Sequence, residues 1–165
     1  MAVMRAALLL ITLATTPGDD IPVAYDGPWR DACGDPAVWS DALEVGPVGT
    51  VRRVASGDRL ELLTDSGSRV TFTLAGVKPA RAAKAELASL ALGKTAETLR
   101  RGDPDREVLT GPVHVDGKDV ALQLLLSGAA SFKDSKWLTS FNRCVYEKAE
   151  AAARQAHVGI WRTAH

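Results

Sequence analysis

Polar and apolar positions alternate in three successive stretches near the middle of the chain. Gly49 to Ala55 is Val-rich and alternates in part. Asp58 to Thr64 sets Leu60 and Leu62 against Arg59 and Glu61. Arg69 to Ala75 sets Val70, Phe72 and Leu74 against Arg69, Thr71 and Thr73. A two-residue period predicts half-buried strands. Asp65-Ser66-Gly67-Ser68 supplies hairpin chemistry, and Gly57 and Gly76 mark bends or bulges. Beyond them, Ala80 to Leu92 groups Leu87, Leu90 and Leu92 on one side and stops at Gly93, which predicts a helix. Lys94 to Leu99 and Glu107 to Val115 read as a fourth and a fifth strand, the latter ended by Asp116-Gly117. Asp119 caps a short helix from Val120 to Ser127, and a last helix runs from Phe141 to His157 with Ala149, Ala152, Ala153 and Ala156 on one face. Ile160 and Trp161 read as a hydrophobic closure. Three strands, a helix, two strands and two helices give an α+β fold: a five-stranded Greek-key barrel of the OB type with three helices.

The flanks lack this period. Arg5 precedes an unbroken apolar run from Ala6 to Ala14, and Ala14-Thr15-Thr16 offers small residues for cleavage, so residues 1–16 read as a secretory signal peptide. The expected compartment is secreted or periplasmic. The run is too short to span a bilayer. Residues 17–45 form an irregular arm, with a short helical turn expected over 36–43 and with Trp29 and Trp39 pinning it to the domain that fills 46–165. The arm holds seven acids against Arg30 alone, a net of −6, whereas the stretch from Gly46 onward holds 18 Lys and Arg against 13 Asp and Glu, a net of +5. Such a division suits a polyanion ligand or a leader that covers a basic domain; a solvated surface of mixed charge is the plainer reading. Cys33 and Cys144 are the only cysteines. In an exported chain an even count points to a disulfide, two separate buried thiols being the alternative. His114 and His157 are far apart and lack an accompanying Cys or Asp cluster, so they read as surface or packing residues, and His165 as a terminal one.

Four segments resemble the staphylococcal nuclease, or thermonuclease, family. Val48-Gly-Thr-Val-Arg-Arg-Val-Ala-Ser-Gly-Asp58-Arg-Leu-Glu-Leu is similar to the family's first hairpin. Phe72-Thr-Leu-Ala-Gly-Val77 is similar to its "R-L-A-G-I-D-A-P-E" stretch. Asp116-Gly117 with Leu122 to Leu126 and Gly128-Ala129-Ala130 resembles a third, and Glu150-Ala-Ala-Ala-Arg154 with Gly159-Ile160-Trp161 the closing one. The resemblance spans residues 46–161 in the family's order and implies its OB-type barrel.

It also implies a chemistry: phosphodiester cleavage with one Ca²⁺ held by two carboxylates, a glutamate that activates water, and two arginines on the phosphate. A hard cation requires carboxylate oxygens, and the charge developing on phosphate requires fixed donors such as Arg. Asp58 matches the first metal-binding aspartate, with Ser56 beside it and Arg59 in place of a Thr. Thr73 stands at the first phosphate Arg, Lys78 at the second metal-binding Asp, and Arg81 at the glutamate. No Asp or Glu occurs between Asp65 and Glu86, so no shift of register restores a carboxylate there. Arg106 in Asp103-Pro-Asp-Arg106 is the nearest match to the second phosphate Arg but lacks the Tyr-Gly of the motif. An ammonium about 4 Å from a cation opposes it by roughly 4 kcal/mol per pair of unit charges at an effective dielectric of 20. The reading therefore expects no metal and no cofactor, with Lys78 in the cation's place and paired with Asp58.

Three function classes follow. The first is a non-hydrolytic exported module that binds single-stranded nucleic acid, with Arg52, Arg53, Arg59 and Arg69 as polyanion contacts and few aromatics for stacking. The second is an active nuclease with a rearranged site fed by Asp103, Asp105 or the arm. The third is an envelope-protein partner whose arm, held by Cys33–Cys144, covers the cleft.

Overall fold

The computed structural model describes residues 27–34, 44–100 and 108–162. The expected signal stretch, the helical turn over 36–43, Trp39, Asp103, Asp105, Arg106 and His165 lie outside them.

The chain builds strands β1 (Glu44–Val45), β2 (Gly49–Ser56), β3 (Arg59–Thr64), β4 (Arg69–Leu74), β5 (Val77–Pro79), β6 (Thr95–Arg100), β7 (Val108–Gly111), β8 (Val113–Val115), β9 (Lys118–Asp119) and β10 (Ala130–Phe132). Four helices accompany them: α1 (Arg30–Cys33), α2 (Ala83–Ala91), α3 (Val120–Leu126) and α4 (Ser140–Gln155), with a 3-10 turn at Gly159–Trp161. The main sheet runs β7-β4-β3-β2-β6-β8-β9, with β1 added beside β6, and β5 and β10 form a separate two-stranded ribbon. β7 lies parallel to β4 while β8 lies antiparallel to β6. These two strands are one stretch broken at Pro112, which lacks an N–H for the ladder. The bend carries the sheet from β4 back toward β6, where Leu99 donates its amide to Pro112 at 3.0 Å, and this curl gives the OB-like form.

The expected alternation is what fills the core. Val51, Leu60, Leu62, Phe72, Leu74 and Val113 point inward and are fully or almost fully buried, and α2, α3 and α4 close over them with Leu87, Leu124, Leu125 and Val145. Burial of large apolar side chains at about 25 cal/mol per Å² is the main stabilising term. Asp119 caps α3 by accepting from the Leu122 amide, and Thr139 caps α4 by accepting from Asn142, each relieving unpaired amides of a helix start.

The structure amends the sequence expectations in five places. The sheet takes in Glu44–Val45, which register against Arg100 and Leu99, so it begins before position 46. The fifth strand is two, because of Pro112. The helices number four among the described residues, since Arg30–Cys33 forms a helical turn. Val77–Pro79 and Ala130–Phe132, to which the sequence pattern assigned no element, pair as a ribbon. Ile160 is nearly half exposed, at 46%, so only Trp161 folds back, under Arg154.

Cys33 and Cys144 are joined, their Cα atoms 5.7 Å apart across 111 residues of sequence. The disulfide fixes α1 to α4, and Trp29 and Cys33 pack against the core.

Candidate functional site

The β2–β3 hairpin turns at Gly57-Asp58. A side chain at Gly57 would meet the Pro79 and Ala83 Cβ atoms at 2.6 and 2.7 Å and the Lys84 amide nitrogen at 3.4 Å. Only glycine lets the hairpin tip lie this close to the segment joining β5 to α2, and this contact brings the tip, with Asp58 next in sequence, to the segment that begins at Lys78 in β5 and runs through Arg81. The Asp58 carbonyl accepts from the Leu74 amide at 2.7 Å, which ties the tip to the end of β4. The Asp58 carboxylate accepts from the Ser56 hydroxyl at 2.7 Å.

Thr73 faces Arg59 directly across the β3–β4 ladder. Its hydroxyl oxygen is buried and has no hydrogen-bond partner in the structure, a position that costs free energy when left empty-handed. Lys78 lies at the centre of β5, opposite Ser131, and is exposed between buried Val77 and half-buried Pro79. The expected Lys78–Asp58 ion pair is not formed. β5 alternates in a ribbon of its own, so the Lys78 side chain turns outward with Ser131 while Val77 turns to the core. Arg81 is exposed in the turn before α2.

The four arginines expected to meet a polyanion are all exposed, but they are not equivalent. Arg53 is held by Glu61 at 2.8 Å, directly across from it. Arg52 sits at the register shift between Val51 and Arg53, Arg59 at the hairpin tip, and Arg69 at the start of β4. The acid on this face therefore neutralises part of the expected strip.

A family model of staphylococcal nuclease homologues matches residues 73–163. The chain belongs to the staphylococcal nuclease family. No curated protein matches it. The match begins at Thr73 and takes in Lys78 and Arg81, whereas Asp58 and the first hairpin precede it and rest on the motif resemblance.

Within this staphylococcal-nuclease-like domain, the residues at the matching site positions do not make a donor set for a hard cation. Asp58, which accepts from the Ser56 hydroxyl, is the one carboxylate at these positions, Lys78 and Arg81 being cations, and no cluster of three His, Cys, Asp or Glu suited to a metal occurs among the described residues.

A polar contact that the motifs did not indicate lies elsewhere. Tyr146, fully buried in α4, donates its hydroxyl to Asp119 at 2.6 Å. Burial, followed by the charge of Asp119 and the bond to it, holds the Tyr146 hydroxyl pKa well above its usual value. Asp119 thus caps α3 with one oxygen and anchors α4 with the other. This serves the scaffold, since Tyr146 also covers Gly76. On the surface, Arg143 donates to Asp134 at 2.7 Å and lowers the Asp134 pKa. Of the histidines, His114 has a buried Nδ1 without a partner, and His157 is exposed with a positive φ of 52° at the end of α4.

Proposed function

We propose that this member of the staphylococcal nuclease family is an exported, non-hydrolytic module that binds nucleic acid without cutting it. The observation that carries the reading is the exposure of Lys78, in β5, and Arg81, in the turn before α2, on the segment against which the Gly57 hairpin tip is packed. A cleft built around Ca²⁺ needs carboxylates there, and cations there suit a phosphate instead. Thr73 offers a hydroxyl where the resemblance places a guanidinium, so the charge that develops on a phosphate in flight has lost a fixed donor. Export is supported by the leader pattern of residues 1–16 and by the Cys33–Cys144 bond, which persists in oxidising compartments.

Fluorescence anisotropy with a labelled single-stranded oligonucleotide, run in chelator on the oxidised protein, tests the reading. Saturable binding with the oligonucleotide recovered intact supports it. No binding by a folded protein would remove nucleic acid as the ligand class and leave an envelope protein as the partner to seek.

A further inference from the structure

The β5–β10 ribbon has one face in the core and one in water. Val77, Ala130 and Phe132 lie on the inner face, with Val77 and Ala130 buried. The outer positions are Lys78, its partner Ser131, and Lys133, whose amide continues the ladder by donating to Gly76 at 3.0 Å. Lys78 and Lys133 are therefore diagonal neighbours on one face, roughly 7–8 Å apart. Arg81 and Lys84 follow where the ribbon runs into α2, and all four cations are exposed.

None of these four has a carboxylate partner among the described residues, whereas Arg53, Lys94, Arg100, Arg143 and Arg154 each hold one. Of the nearby acids, Asp134 is paired with Arg143 at 2.7 Å, and Glu150, which accepts from the Phe132 amide of β10, is paired with Arg154 at 3.4 Å; Asp58, bonded to the Ser56 hydroxyl, and Glu86, in the first turn of α2, keep their charge. Four exposed cations against Asp58 and Glu86 leave this corner with a net positive charge, while on the β2–β3 face Glu61 cancels the charge of Arg53.

We propose that the outer face of the β5–β10 ribbon, with Arg81 and Lys84, is the track on which a single-stranded nucleic acid lies, and that it reads the sugar-phosphate backbone rather than the bases. The inference rests on the nucleic-acid reading above and assigns it a surface and a mode. The outer positions supply ammonium groups and a hydroxyl, which contact phosphates, and no ring on which a base could stack. Phe132 faces inward. Trp137, next along the chain, is partly buried and already carries the Lys136 ammonium 4.9 Å from its ring centroid. At three residues per strand the ribbon is about 10 Å long, which suits a few nucleotides and falls short of the roughly 34 Å of a duplex turn.

The test compares a labelled oligothymidine with an abasic oligomer of the same length, over a series of salt concentrations, on the oxidised full chain. The account expects equal affinity for the two within about twofold. It expects Lys78→Glu/Lys133→Glu to weaken both by about tenfold or more and to flatten the log–log salt dependence by about 1.4, near 0.7 per lost phosphate contact. Lys78→Gln/Lys133→Gln, which adds no charge, should flatten it equally, and Lys118→Glu, on distant β9, should leave it unchanged. Thermal melting checks that each variant is folded. Binding by the protein with no response to the ribbon variants, or a loss confined to Arg52→Glu/Arg69→Glu, overturns the ribbon assignment and leaves nucleic-acid binding standing. Weak binding of the abasic oligomer overturns backbone reading. Failure of the wild-type chain to bind either oligomer overturns both proposals.

Discussion

The packed end of the domain, where α3 and α4 meet the barrel, and the corner around Asp58 have kept different parts of the same ancestry. At the packed end each feature depends on several neighbours at once. Asp119 caps one helix and receives the hydroxyl of another, Tyr146 covers Gly76, and Cys144 holds α1. At the corner, Lys78 and Arg81 are exposed, and what fixes the geometry is the glycine contact beneath them. Side chains there can change without disturbing the packing. The residues that hold the fold and the residues at the candidate site are thus different sets, and the proposed loss of hydrolysis would fall on the second alone.

The comparison is sharpened first by breaking the staple at the packed end. Reducing Cys33–Cys144, or replacing both residues by Ser, should cost up to about 5 kcal/mol by the chain-entropy model for a loop of this length. Denaturant unfolding with and without reductant measures it. Gly76→Ala comes next. Gly76 has φ of +81°, and a Cβ would meet the Tyr146 ring at 2.7 Å and Leu138 at 2.9 Å. The left-handed backbone and the overpacking together should cost about 3 kcal/mol, read from the same transition.

Tyr146→Phe is smaller, about 1–3 kcal/mol at neutral pH, because the Asp119 carboxylate loses a donor. It also carries a pH signature. The Tyr146 pKa is raised in the folded state, so its contribution is complete below the unfolded value of about 10 and is lost as pH rises through the folded value. Wild-type stability should therefore fall above about pH 10, and the variant should show a shallower alkaline limb in melts taken across that range. At the other region, Lys78→Ala and Arg81→Ala should each move stability by less than about 0.5 kcal/mol, as exposed changes do. A loss comparable to that of Gly76→Ala would erase the distinction between the two regions.

How much of this was legible in the sequence follows the same division. The alternation of Leu60, Leu62, Phe72 and Leu74 marked the hairpin strands, and Asp119 marked its helix, because burial and capping act over a few residues. The disulfide was legible from two cysteines and a leader-like start. Val77–Pro79 and Ala130–Phe132 were missed because each is three residues long, too short for a period, and they pair across about fifty positions of sequence. The Tyr146–Asp119 bond was missed for a related reason: only the docking of α4 on α3 brings the two together. At the candidate site, the motif resemblance set Lys78 and Arg81 at the family's acid positions. The direction of Lys78 was not, since it depends on the β5–β10 register, and the pairing of Arg53 with Glu61 depends on the register shift in β2.

The central claim is that the domain has kept the fold and given up the cut. Digestion of denatured DNA and of RNA by the mature, oxidised protein, with Ca²⁺ and with chelator, tests it most directly. The account predicts intact nucleic acid in both conditions from a protein shown by its melting transition to be folded. Calcium-dependent cleavage that Asp58→Ala abolishes would contradict it.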